Sequence, residues 1–247
     1  MPLAALTLAA LRSSFHGTYM ETPTMPALPR AMLALALVLP AACGAPASDH
    51  AVTTAINRTV PVIGNSCEGC EAVFDGMPTE IPSSIRLAPP GEPGVPMRIS
   101  GRVLDGFGRA RAGVVVYVYQ TDRTGIYPRP AQRLGREAMR HGRLRGWVRS
   151  DAQGRYVIDT IRPGSYPGED VAEHVHMQVL EPGCFTYYID DLMFLDDPKL
   201  SAEERRQAHG TGGNGFLWPV MVDGRWQAER DIVLGLGVPG PRECLAP

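Results

Sequence analysis

From Met97 onward the chain is cut into short stretches rich in β-branched and aromatic residues, at 98–104, 113–121, 146–150, 156–160, 174–180, 185–189 and 231–234, separated by Gly, Asp and Pro. Spacing of this kind predicts an all-β fold, a β-sandwich of mixed short strands. Asp105-Gly106-Phe107-Gly108 and Asp151-Ala152-Gln153-Gly154 place residues that tolerate positive φ between strands, so hairpins are expected there. Ser201 followed by Glu204 has the capping-box arrangement, which predicts one short surface helix over 202–208. The apolar residues between Met97 and Gly240 suffice for one sandwich core at 97–240.

Composition narrows the function classes. Hydrophobic residues at 44% and charged residues at 20% exclude a wholly disordered chain and a long charged helix. A net charge of −2, with no basic block interleaved with aromatics, gives no sign of a nucleic-acid groove or an electrostatic membrane surface, so a small-molecule partner is expected. A homo-oligomer is compatible with the sequence, which does not fix a copy number.

The flanks read differently. Residues 1–47 hold two apolar stretches, 2–11 and 31–42, each shorter than the roughly 20 residues a transmembrane helix needs. The second, preceded by Arg30, has the length of a signal-peptide core, which makes Met25 a plausible start and predicts export. Ala41-Ala42-Cys43-Gly44 resembles a bacterial lipoprotein cleavage site, with Cys43 as the candidate lipid anchor. A periplasmic, secreted or lipid-anchored location follows as the expectation. Residues 48–96, rich in Pro, Gly, Ser and Asn, predict an irregular arm without a core of its own, and 241–247 form a tail. In an oxidising compartment Cys67, Cys70, Cys184 and Cys244 suit two disulfides, with three pairings open. A zinc or redox site at Cys67-Glu68-Gly69-Cys70 lacks a second pair to complete its ligands.

His174-Val175-His176 lies in a stretch that alternates as a strand, which puts both imidazoles on one face with Cα atoms roughly 6.5 to 7 Å apart. That suits a shared metal, although a strand His-x-His is equally compatible with a solvated face. By themselves Tyr127 and Tyr166 read as strand-end tyrosines with their hydroxyls toward solvent. Tyr117, Tyr119, Tyr156, Tyr187 and Tyr188 read as core or sheet-face residues, and His141 and His209 as solvated.

Order changes the weight of these residues. G-R-V-x-D-x-x-G from Gly101, T-D-x-x-G-x-Y from Thr121, R-G-x-x-x-S-D-x-x-G-x-Y with T-I-x-P-x-x-Y-P from Arg145, and H-x-H at His174 follow one another across residues 99–180. This succession resembles the intradiol ring-cleavage dioxygenases, the group of catechol and protocatechuate dioxygenases. The resemblance implies a single ferric iron, Fe(3+), held by Tyr127, Tyr166, His174 and His176. It also implies an aromatic diol and O2 as substrates, cleavage between the two hydroxyl-bearing carbons to a muconate-type diacid, and a base role for Tyr166. Two phenolates and a hydroxide would balance the three positive charges.

One departure accompanies the match. Many members carry an arginine three residues before the first histidine, and here that position is Val171 among acidic neighbours. Arg162, Arg145 and Arg149 are the arginines whose approach from elsewhere would compensate. The family's glutamine beyond the histidine strand is not evident at 185–188. The rival readings are a non-catalytic or degenerate metal-binding sandwich module, and a site for copper or zinc in place of iron.

Overall fold

The computed structural model describes residues 60–65 and 69–240. The export segment with Met25 and Cys43, the cysteines Cys67 and Cys244, and the tail at 241–247 lie outside the described residues.

Two mixed sheets face each other. The larger runs in the order β1 (Ser84–Arg86), β5 (Arg155–Ile161), β2 (Pro96–Leu104), β10 (Arg225–Glu229) and β9 (Val220–Val222), with β11 (Ile232–Val233) joined to the end of β2. The smaller runs β4 (Arg145–Arg149), β3 (Val115–Tyr119), β6 (His174–Leu180), β7 (Thr186–Phe194) and β8 (Phe216–Leu217). Alternation explains the pairing in the larger sheet. Met97, Ile99 and Val103 of β2 and Tyr156 and Ile158 of β5 point inward. Arg98 and Asp159, directly opposite on the other face, form a two-bond ion pair at 2.8 Å each.

Strand β3 (Val-Val-Tyr-Val-Tyr) is buried at every position because both of its faces are covered. Val116 and Val118 enter the core between the sheets, against Val148 of β4 and Val175, Met177 and Val179 of β6. Val115, Tyr117 and Tyr119 face the other way, under Val60, Val73, Met77 and Ile81. The stretch expected to be a coreless arm is therefore part of the sandwich's packing. It covers the outer face of the smaller sheet and, through β1, adds a strand to the larger one, with Ile85 opposite Ile158.

The helix at 202–208 is present as α2 (Ala202–Gln207), and its capping box is complete: Ser201 Oγ accepts from Glu204 N–H, and the Glu204 carboxylate accepts from Ser201 N–H. The expectation of a single short helix is corrected by α1 (Arg136–Arg140) and by a 3-10 turn at Cys70–Phe74. Neither has a side-chain cap, so nothing local announces them. A long-range bond from Gly135 N–H to Asp75 Oδ2 ties them together. The predicted strands are found with shifted ends, except that β7 continues past Ile189 to Phe194, while β1, β8, β9 and β10 were not foreseen. Among the described residues no helix is long and apolar enough to cross a membrane. Cys70 and Cys184 are both disulfide-bonded.

Because Ile158 is fully buried between the sheets, Ile158→Ala is expected to cost about 2–5 kcal/mol, seen as a lower urea midpoint with unchanged slope. An unaltered midpoint would contradict the two-sheet core.

Candidate metal centre

Three Asp-x-x-Gly turns, at Asp105, Asp122 and Asp151, are closed in the same way. In each, the Asp carbonyl accepts the N–H of the glycine three residues on, at 2.9, 3.1 and 2.9 Å. The Asp Oδ1 accepts the N–H groups two and four residues on. The turn at Asp122 follows β3 and delivers Tyr127. Gly125 there holds φ +80°, and a Cβ would meet Ser165 O at 1.8 Å, so only glycine lets this turn press against the loop that carries Tyr166. Gly164 is its counterpart. Its N–H donates to the Asp122 carbonyl at 2.8 Å and its carbonyl accepts the Thr121 hydroxyl at 2.8 Å. A Cβ on Gly164 would meet Arg123 O at 2.6 Å.

The two locked loops bring both phenols to the outer face of β6, where His174 and His176 stand side by side. Tyr127 Oη lies 2.7 Å from Tyr166 Oη and 2.8 Å from His176 Nε2. Tyr166 Oη lies 3.1 Å from His174 Nε2 and 3.4 Å from His176 Nε2, and the two Nε2 atoms are 3.2 Å apart. All four residues singled out in the sequence are thus gathered around one point.

The opposite ring nitrogens fix the tautomers. His174 Nδ1 is 2.7 Å from the Ala172 carbonyl, which can only accept, so Nδ1 carries the proton and Nε2 a lone pair. His176 Nδ1 is 2.9 Å from Asp191 Oδ1 and 2.5 Å from Tyr188 Oη, and the Tyr188 hydroxyl donates to the same Asp191 oxygen. Burial works to raise the Asp191 carboxyl, but the neighbouring imidazoles and the Tyr188 hydroxyl hold it below the usual range. Asp191 is therefore an acceptor and the His176 Nδ1 carries a proton, so that in the neutral ring Nε2 keeps its lone pair. Four donor atoms then share five close contacts with only the two phenol protons between them. Lone pairs left facing one another in this way suit a bound cation.

Burial sets the resting charges. It is the leading cause that pushes Tyr127 and Tyr166 above the ordinary phenol range. The Tyr166 contact raises Tyr127 further, while the Tyr127 contact pulls Tyr166 back. Burial, with the nearby His176, also pushes His174 down, so it is neutral. A cation entering such a site meets a neutral His174 and can convert the phenols to phenolates.

Packing holds the rings in place. Tyr119 stacks on His176 at 4.4 Å and on His141 at 3.6 Å, and His141 Nδ1 is 2.9 Å from Tyr117 Oη. His141 is thus buried, at 7% exposure, contrary to the solvated position its polar neighbours suggested. His209 is exposed as expected. His174, His176 and Asp191 also have potential ligand atoms within 4.8 Å of one another. Asp191, however, reaches the Nδ1 edge of His176, whereas the tyrosines gather at the Nε2 edge, so one ion cannot take both the carboxylate and the phenols with His176 as arranged.

Two of the three arginines named for that role are committed to other partners. Arg162 pairs with Glu173 at 2.6 Å and with Asp196 at 2.7 Å, and Arg145 bonds Tyr117 Oη at 3.1 Å and the Asp75 carbonyl at 2.6 Å. Arg149 ends β4. The buried Arg230 was not foreseen. Its Nη1 lies 3.4 Å from Met177 Sδ, on the core side of β6, and its charge is felt by Asp190, Asp191 and Tyr188. Tyr188, read as a core or sheet-face residue of the stretch 185–189, and Asp191, which lies beyond that stretch, were also missed as site residues.

The chain is similar to known proteins in the region that builds this site. A family model described as Dioxygenase matches residues 80–209, just over half of the chain. The alpha chain of protocatechuate 3,4-dioxygenase from Burkholderia cepacia is 25% identical over 118 residues, which cover 48% of this chain and 59% of that relative. Hydroxyquinol 1,2-dioxygenase from Pseudomonas putida DLL-E4 is 26% identical, covering 64% of this chain and 61% of that one, with a TM-score of 0.49. The dioxygenase domain of a carbohydrate-binding fusion protein from Streptomyces sp. SirexAA-E is 22% identical, covering 70% of this chain and 97% of that one, with a TM-score of 0.48. With its ordered motifs gathered within the matched residues, the chain belongs to the intradiol ring-cleavage dioxygenase family.

Proposed function

We propose that the chain is a non-haem iron(III) dioxygenase that cleaves catechol-type rings between the two hydroxyl-bearing carbons, with Tyr127, Tyr166, His174 and His176 holding the ion. The observation that carries this reading is the gathering of two phenol oxygens and two bare imidazole nitrogens with too few protons to link them. Two oxygens that become anionic suit a hard trivalent ion, whose charge they balance better than that of divalent copper or zinc. Membership of the family supports the reaction class. An iron ion held by these four residues would supply Lewis acidity to the bound diol.

The chain's own groups account for the proton movements. Tyr166, the less deeply buried of the two phenols, sits on the loop around Gly164. Its oxygen takes up a proton from the incoming diol, as a base whose affinity for protons is raised by burial. Tyr127 stays fixed, its ring 6.1 Å from Tyr119 and its turn locked by Gly125. His174 and His176 are held as imidazole donors through their Nδ1 atoms, by the Ala172 carbonyl and by Asp191.

We also infer export, supported by the apolar run before Cys43 and by the disulfide-bonded Cys70 and Cys184, a state typical of oxidising compartments.

Protein from an iron-replete host is expected to be purple to red from phenolate-to-iron charge transfer and to consume O2 with catechol. A colourless zinc protein, or a coloured one that never cleaves a ring, would overturn the reading in its metal or in its catalytic part. Tyr127→Phe should remove much of the colour while the circular dichroism of the sandwich is kept; unchanged absorption and iron content would exclude Tyr127 as a ligand. Since both phenols are protonated before the ion binds, loading releases about two protons. Apparent affinity should therefore rise about a hundredfold per pH unit between roughly pH 6 and 8 in chelator competition, and a flat profile would exclude paired phenolate ligation.

A further inference from the structure

The backbone of β7 leaves its register opposite the second histidine. Val175 pairs with Leu192 and Met177 with Ile189, so Asp190 and Asp191 together oppose the single residue His176. This is a β-bulge, a device that redirects a side chain without disturbing the strand on either side. Ile189 and Leu192 stay in the core, and Tyr188 and Met193 lie opposite Gln178 and His174. The extra residue makes room for the Asp191 carboxylate at the Nδ1 edge of His176, 2.9 Å away. Tyr188, on the near side of the bulge, donates its hydroxyl to the same carboxylate oxygen and lies 2.5 Å from the same Nδ1. His174 has no such partner at its Nδ1, which meets the Ala172 carbonyl.

We propose that Asp191 is a positioning residue that makes His176 the stronger of the two imidazole donors, with Tyr188 moderating its charge, and that it is not itself a ligand. The proposal rests on the four-ligand reading above. A full negative charge accepting the Nδ1 proton draws that proton off the ring and enriches Nε2 in electron density, which a neutral peptide carbonyl does only weakly. The more strongly His176 donates, the less acidic the iron becomes, and the more energy is needed to move an electron from phenolate to iron. The colour of the protein therefore reports the strength of this hydrogen bond.

Asp191→Asn keeps an oxygen acceptor of nearly the same size and removes the charge. The iron protein carrying it should bind metal about 10- to 100-fold more weakly, and its charge-transfer band should move to longer wavelength. Tyr188→Phe removes a donor that disperses the carboxylate charge, so its band should move the opposite way, to shorter wavelength. Zinc affinity by calorimetry on the metal-free proteins provides a second reading that does not depend on iron or turnover, with the same order of effect for Asp191→Asn. Bands and zinc affinities equal to wild type would overturn the proposal. So would complete loss of metal from folded Asp191→Asn, which would make Asp191 a ligand. If Asp191→Asn fails to fold, the direction of the Tyr188→Phe shift decides. A colourless wild-type protein would fail the iron reading alone, and the zinc comparison would still judge Asp191.

Discussion

The site depends on an imbalance between lone pairs and protons. Two imidazoles whose Nδ1 protons are already engaged and two phenols whose oxygens nearly touch cannot all satisfy one another. Holding such groups together without a cation is unfavourable, since buried polar atoms need partners. The parts that hold them are stiff for that reason. Two donors stand on a strand in the middle of the smaller sheet, and the other two stand on turns that lock into each other through Asp122, Gly125 and Gly164. Loose loops would relax apart and ease the conflict.

The covering segment completes the arrangement. The outer face of the smaller sheet would be exposed at Val115, Tyr117 and Tyr119 if Val60, Val73, Met77 and Ile81 did not lie over it. Of these, Tyr119 stacks on both His141 and His176, so one layer both covers apolar surface and fixes the plane of a metal-facing ring. The Gln178 side chain, one step along β6 from the histidines, donates to the Cys70 carbonyl at 3.0 Å and so joins the cover to the strand.

Legibility in the sequence followed the range of the interactions. Strand β6 was readable end to end because its histidines alternate with Val175 and Met177, a period that belongs to the strand alone. The D-x-x-G turns were readable as turns because their bonds close within four residues. That one of them aims a phenol at the histidines was not: it follows from contacts 39 and 49 positions apart, and only the order of the motifs hinted at it. His141 sits in a polar stretch and is buried by Tyr117 and Tyr119, more than twenty residues away. Strand β7 was cut short at Ile189 because Asp190-Asp191 interrupts the alternation, and β1 and β10 become strands through their pairing with β5 and β2.

That interruption has a wider meaning for how such a centre can vary. Because Asp191 sits outside the inward-facing rows, while Asp190 holds the Gly210 N–H, the side chain at position 191 is separate from the fit of the two layers. A lineage can exchange a charged partner for a neutral one there and retune its metal while the hydrophobic interior stays as it was. Sites built this way can diversify their chemistry at little structural risk.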